Sequence, residues 1–189
     1  MSLLILVRHS VPEIVPEKAA HQWGLSQEGR ALCIPLAETL SQFQPAIIVS
    51  STEPKATETA AMIAHHLGEP FTPVKGLHEH ERGNVPYFST REHFQTAIRN
   101  LFLHPDELIF GKETAVQALT RYKSAVTQLV TAYPGQNMIL VSHGTVMSLF
   151  VAHYNPVDAF DFWEKLKLPD FVVLSRSHFR IARELWFLE

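Results

Sequence analysis

Three short, largely apolar runs constrain this chain more than any other feature: Leu3-Leu4-Ile5-Leu6-Val7, Ala46-Ile47-Ile48-Val49 and Asn137-Met138-Ile139-Leu140-Val141. None alternates apolar with polar residues, so each reads as a strand covered on both faces. Each also ends abruptly in residues able to do chemistry: Arg8-His9-Ser10, Ser50-Ser51-Thr52 and Ser142-His143-Gly144.

Helical segments separate the runs. Apolar spacing and end signals predict a helix from a cap at Ser26 to about Phe43, kinked or divided at Pro35. A second is capped by Thr52, with Pro54 in its first turn and Gly68 as its stop. Ser89 and Glu92 have capping-box spacing ahead of a helix reaching about Leu103. Thr114 to Tyr133 is a long amphipathic stretch closed by Pro134-Gly135, and a further helix begins at Thr145. Phe171-Val172-Val173-Leu174 and Phe179-Arg180-Ile181-Ala182-Arg183 read as strands of a hairpin turning at Arg176-Ser177-His178. Strands alternating with helices predict an α/β fold whose mainly parallel sheet carries helices on both faces. With no repeat or break in composition, residues 1–189 read as a single domain.

The 189 residues are 46% hydrophobic and 19% charged, with a formal net charge of -3. That is an ordinary globular composition, and its field offers nucleic acid or anionic lipid no general attraction. A single cysteine, Cys33, leaves no internal disulfide and no thiolate cluster. The first apolar run breaks at Arg8 and His9, unlike a signal peptide, and no stretch nears the roughly 20 apolar residues of a spanning helix. The expectation is a soluble, cytoplasmic protein with no membrane or nucleic-acid partner.

Ligands of open α/β sheets bind beyond the carboxyl ends of the strands, so topology gathers Arg8, His9, His143 and the loop after Ser50 into one crevice. Helices starting at Thr52 and Thr145 turn unpaired N–H groups and positive partial charge towards it, which suits an anion and phosphate above all. Arg8 offers a planar fork for two phosphate oxygens. His9 supplies a neutral imidazole nitrogen that can attack phosphorus, and in-line displacement then needs a proton for the leaving oxygen. The segment Leu77-His78-Glu79-His80-Glu81-Arg82-Gly83 offers Glu79 and Glu81 for that step, and spacing does not choose between them. His78 and His80 lack the i, i+4 spacing of zinc hydrolases, so neither metal nor other cofactor is expected.

Other residues take plainer readings. His65, His66, His93, His104, His153 and His178 are surface or satisfied core histidines, and Phe43, Phe71, Phe150, Trp163 and Trp186 are packing residues. Glu13, His21 and Trp23 belong to a surface loop beside the crevice.

Several of these segments together carry a family resemblance. Leu6-Val7-Arg8-His9, Ser50-Ser51 with Lys55-Ala56 and Thr59-Ala60, Leu77-x-Glu79 with Gly83, and Val141-Ser142-His143-Gly144 resemble the histidine phosphatase (phosphoglycerate mutase-like) superfamily. Trp23-Gly24-Leu25-Ser26-Gln27-Glu28-Gly29-Arg30 is similar to the family's segment opening its first helix. The resemblance implies a three-layer α/β/α sandwich, phosphorylation of His9, Arg8 and His143 around the phosphoryl group, Glu79 as the acid–base residue, and no metal. Two positions depart from the family. Ser10 replaces a usual Gly and is counted among the substrate-binding positions. Lys55 replaces the second phosphate-binding Arg, keeping the charge but not the two-pronged fit, and is expected still to bind phosphate.

The expected activity is therefore hydrolysis of a phosphate monoester, on a small phosphorylated molecule or a phosphoprotein. A phosphoglycerate mutase-type phosphotransferase and a weakly active phospho-ligand binder are the alternatives. Sequence leaves the oligomeric state open.

Overall fold

A computed structural model describes residues 2–85 and 87–183. Trp186, read above as a packing residue, lies outside them. The chain runs β1 (Leu3–Arg8), α1 (Gln27–Leu40), β2 (Ala46–Ser50), α2 (Pro54–Leu67), β3 (Phe71–Pro73), α3 (Arg91–Leu103), α4 (Ala115–Ala132), β4 (Asn137–Ser142), α5 (Gly144–Tyr154), α6 (Ala159–Lys165), β5 (Asp170–Ser175) and β6 (Ile181–Arg183).

The strands form one sheet in the order β3-β2-β4-β1-β5-β6. The first four in chain order are parallel, whereas β5 runs antiparallel to β1 and β6 antiparallel to β5. The expected mainly parallel sheet and terminal hairpin are both present.

Pleating explains why the apolar runs need no polar positions, since successive side chains enter opposite cores. Leu4, Leu6, Met138, Leu140 and Val172 pack with Tyr122 and Val126 of α4 and Val146 and Phe150 of α5. Ile5, Val7, Ile48, Ile139 and Val141 pack on the other face with Leu36 and Leu40 of α1 and Ala60 and Ile63 of α2. The result is an α/β/α sandwich.

Local details differ from expectation in four places. Pro35 lies within α1 without dividing it. Pro35 and Ala31, whose carbonyl loses its helical donor there, are both on the exposed side, where water can replace the bond. The cap of α2 is Glu53 rather than Thr52, with Pro54 at the first helical position and Gly68 ending the helix at φ 70°. Thr90, not Ser89, caps α3, accepting from the His93 amide. Finally, β3 and α6 are too short for periodicity to reveal. Thr114 caps α4 in a full capping box with Gln117, as its spacing allows.

Among the described residues no helix is long and apolar enough to cross a membrane. Leu140 is fully buried on β4, a central strand. Leu140→Ala should lower unfolding free energy by about 2–5 kcal/mol, read from urea denaturation.

Candidate active site

Register alone brings the two motif histidines together. β1 and β4 are parallel neighbours with Arg8 opposite Ser142, and the His9 amide extends the ladder by donating to the Ser142 carbonyl at 2.9 Å. His9 and His143 thus leave adjacent strand ends side by side, their ring centroids 5.1 Å apart. His9 is 7% exposed and His143 fully buried.

The His9 ring has a defined proton arrangement. Its Nδ1 lies 2.7 Å from the Ser10 carbonyl, which can only accept, so Nδ1 carries the hydrogen and Nε2 keeps the lone pair. Burial, reinforced by His143 and Lys55, holds His9 well below the usual histidine range and keeps it neutral. His143 is lowered likewise, by burial and then by Lys55. Its Nε2 is 2.8 Å from the Ser51 hydroxyl, and its buried Nδ1 has no protein partner.

Arg8 gives Nη1 to the Leu166 carbonyl at 2.5 Å and leaves a buried Nε unpartnered. Burial lowers it to about 10, still cationic at neutral pH. The motif glycine Gly144 is what lets it lie there. A Cβ at 144 would stand 3.1 Å from Arg8 Nε and 3.2 Å from its Cζ.

Ser10 departs from its expected part. Its hydroxyl donates to the Gly29 carbonyl at 2.7 Å and its amide to Thr59 Oγ1 at 3.0 Å. Both polar groups are spent on α1 and α2, so Ser10 fixes the turn after His9 instead of facing a ligand.

Of the two candidate carboxylates, Glu79 is the one brought to the histidines. One oxygen accepts from the amides of His80 at 2.9 Å and Val146 at 3.3 Å, the other from Thr145 at 3.1 Å. It therefore sits at the amino end of α5, directly after His143. Burial pushes its pKa up, but Arg82, His143 and the amides of His80 and Thr145 outweigh that and hold it at about 2. Glu81 is exposed and 3.3 Å from His78 Nε2, while His80 Nε2 donates to the Glu113 carbonyl at 2.7 Å. His78 and Glu81 thus face each other, whereas Glu79 and His80 go separate ways.

Lys55 does reach the site. Its Nζ donates to the Ala20 carbonyl at 2.7 Å and to Glu53 Oε2 at 2.6 Å. The other oxygen of Glu53 accepts from the Glu79 amide at 2.9 Å and lies 3.8 Å from His143 Nε2. Lys55 and Glu79 also border a cleft of about 580 Å³ shared with His21, Glu53, Arg82 and Lys112, while Arg8, His9 and His143 do not line it. His21 rests on Gly83, where a Cβ would come within 2.9 Å of its ring, and Trp23 meets Tyr87 edge-on at 5.9 Å. The loop after His9 thus overhangs this cleft. Glu13, in contrast, is exposed, as are His65, His66, His93, His104, His153 and His178.

Sequence reading missed Glu53, Arg82, Glu113 and Arg121. Arg121 donates to the carbonyls of Gly76, His78 and Glu79 and pairs with Glu113, which accepts from the Glu81 amide. Arg82 lay inside a quoted motif segment, and Glu53 beside Lys55 at a helix start. Nothing local marks Glu113 or Arg121, whose partners come from a distant loop.

Because Glu79 is depressed in the folded protein, it favours folding above its ordinary value near 4.5, and that contribution is lost as pH falls through about 2. Unfolding measured between about pH 5 and pH 2 should show wild type losing stability across this window and Glu79→Gln losing less.

Comparison with known proteins agrees with this architecture. The family model of the histidine phosphatase superfamily (branch 1) matches residues 4–188. No curated protein matches the sequence. A mycobacterial glucosyl-3-phosphoglycerate phosphatase superposes with a TM-score of 0.76 at 19% identity, covering 100% of this chain and 99% of that one. YhfR of Bacillus stearothermophilus gives 0.77 at 21% identity, covering 100% of both chains. Phosphoserine phosphatase of Entamoeba histolytica, in complex with 3-phosphoglyceric acid, gives 0.77 at 17% identity, covering 98% of this chain and 96% of that one. Its motifs, sheet and matched span make this chain a member of the histidine phosphatase superfamily, branch 1.

Proposed function

We propose that the protein is a phosphate monoester hydrolase that works through a phosphohistidine on His9 without a metal ion. The observation carrying this reading is the His9 ring itself: neutral, with Nδ1 held by a carbonyl and Nε2 left nucleophilic, 5.1 Å from a second buried imidazole. Buried Arg8 Nε, and buried His143 Nδ1 when it carries the ring proton, have no hydrogen-bond partner among the described residues, which suits an anion that accepts from them.

In the first step Nε2 bonds to phosphorus as the ester P–O bond breaks, and the leaving oxygen takes a proton. In the second, water loses a proton to the Glu79 carboxylate and attacks phosphorus, releasing His9 and inorganic phosphate. Arg8 and His143 stabilise the charge that builds on the phosphoryl oxygens. A small phosphorylated molecule or a phosphoprotein is the substrate.

The proton of the first step comes from Glu79, which leaves it ionised for the second. At about 2, Glu79 is an anion at neutral pH in the free site. A phosphate dianion beside it raises its pKa by like-charge repulsion, and the ester's own second pKa is about 6. Glu79 and substrate therefore share one proton, which is lost as pH rises through about 6.

A second reading, a phospho-ligand binder with little turnover, draws on Lys55, whose charge is already engaged by Glu53. Trapping separates the two. The wild type should hydrolyse an aryl phosphate in the presence of chelator and yield an acid-labile, base-stable phosphoenzyme. His9→Ala should lose both, with a rate at least about 10³-fold lower. Zinc-dependent recovery after chelation would overturn the mechanism. kcat/KM should decline above about pH 6, and a profile that rises towards pH 8 would refute the shared proton.

A further inference from the structure

Lys55 is poorly placed to stand in for a guanidinium. Two of its three N–H bonds go to the Ala20 carbonyl and to Glu53, and the buried carboxylate 2.6 Å away cancels its charge. A phosphoryl group reaching this side of the site meets an ion pair, not a free cation.

Arg82 is in the opposite condition. It follows Glu79 on the same loop, and its Nη2 stands 3.8 Å from Glu79 Oε2, beyond hydrogen-bonding distance. The Glu79 oxygens are already occupied by the amides of His80, Thr145 and Val146. The Arg82 guanidinium lies over the Phe94 ring, 4.9 Å from its centroid, a contact that orients the plane without neutralising it. Its Nη1 is buried with no hydrogen-bond partner among the described residues. Arg82 lines the same cleft as Lys55, Glu53 and Glu79, and its charge acts on Arg8, Lys55, Glu79 and His143.

We infer that Arg82 is the second guanidinium of the phosphate site, its Nη1 edge donating to a phosphoryl oxygen, while Lys55 serves as the partner of Glu53. The assignment rests on the phosphate chemistry proposed above. It places the fork on the loop that carries Glu79 instead of on α2. A simple ion pair with Glu79 is a weaker account, because such a pair would bring two guanidinium nitrogens against the carboxylate at about 2.8 Å.

Binding of inorganic phosphate, measured by calorimetry, tests the role without requiring turnover. Arg82→Gln should weaken phosphate affinity about 10- to 100-fold, the range of one or two charge-assisted hydrogen bonds. Arg82→Lys, which keeps the charge and guards against loss of fold, should remain at least about 5-fold weaker than wild type. Lys112→Gln removes another cation of the cleft wall and should change affinity less than about 3-fold. Wild-type affinity in both Arg82 variants overturns the assignment, including the case where only the pH profile of hydrolysis moves, which would make Arg82 a positioning partner of Glu79. The hydrolase reading fails separately: a wild type that binds phosphate through Arg82 but never turns over an ester leaves this inference standing. Full hydrolysis with phosphate affinity indifferent to Arg82 does the reverse.

Discussion

The parallel pairing of β1 with β4 is the constraint on which the site depends. Its register sets Arg8 against Ser142, so the next residue of each strand is a histidine and the two rings meet. A slip of one residue would turn every side chain of β1 to the other core and send His9 away from His143. Close packing opposes this, because Leu4 and Leu6 are fitted into one core and Ile5 and Val7 into the other, and the His9 amide extends the ladder to Ser142. The same register starts α5 immediately after His143, which carries the amides of Thr145 and Val146 to the Glu79 carboxylate. His9, His143 and the Glu79 carboxylate are thus fixed by one strand pair and the helix it feeds.

Burying so many ionisable groups is costly unless each is neutral or partnered. Three solutions coexist. His9 and His143 stay neutral because desolvation outweighs everything that would charge them. Glu79 stays charged because amides and Arg82 outweigh the same desolvation. Glu53 and Lys55 are partnered with each other at 2.6 Å. Arg8 fits none of these fully, since it is buried, cationic and left with an unpartnered Nε. An anion that accepted from it would relieve that cost, which is the physical ground for the proposed phosphate chemistry.

Much of the fold was legible because its strands are short, fully apolar and followed by polar residues, while its longer helices carry recognisable caps at Ser26 and Thr114. The family motifs named His9 and His143, whose rings meet, and Glu79, which reaches the amino end of α5. What sequence could not show was where polar atoms are spent. Ser10 reads as a ligand contact until its hydroxyl is found on Gly29. Lys55 reads as a free cation until Glu53 is found against it, and Thr52 reads as a cap although Glu53 holds that position. Pairings of this kind depend on side-chain direction and on partners far along the chain, which periodicity does not record.

The loop from Gly76 to Gly83 makes the point sharply. It carries Glu79 and Arg82 with little regular structure of its own, and left free these opposite charges would collapse onto each other. Arg121 of α4 holds the carbonyls of Gly76, His78 and Glu79, Glu113 receives the Glu81 amide and its carbonyl receives His80, and the Arg82 guanidinium lies over Phe94. The far side is held by Glu53 on the Glu79 amide and by His21 against Gly83. Electrostatic stabilisation is effective when charges are fixed before the reaction begins. Here the loop backbone is fixed by hydrogen bonds from Arg121 and the guanidinium by the Phe94 ring, with the Glu79 carboxylate and Arg82 3.8 Å apart.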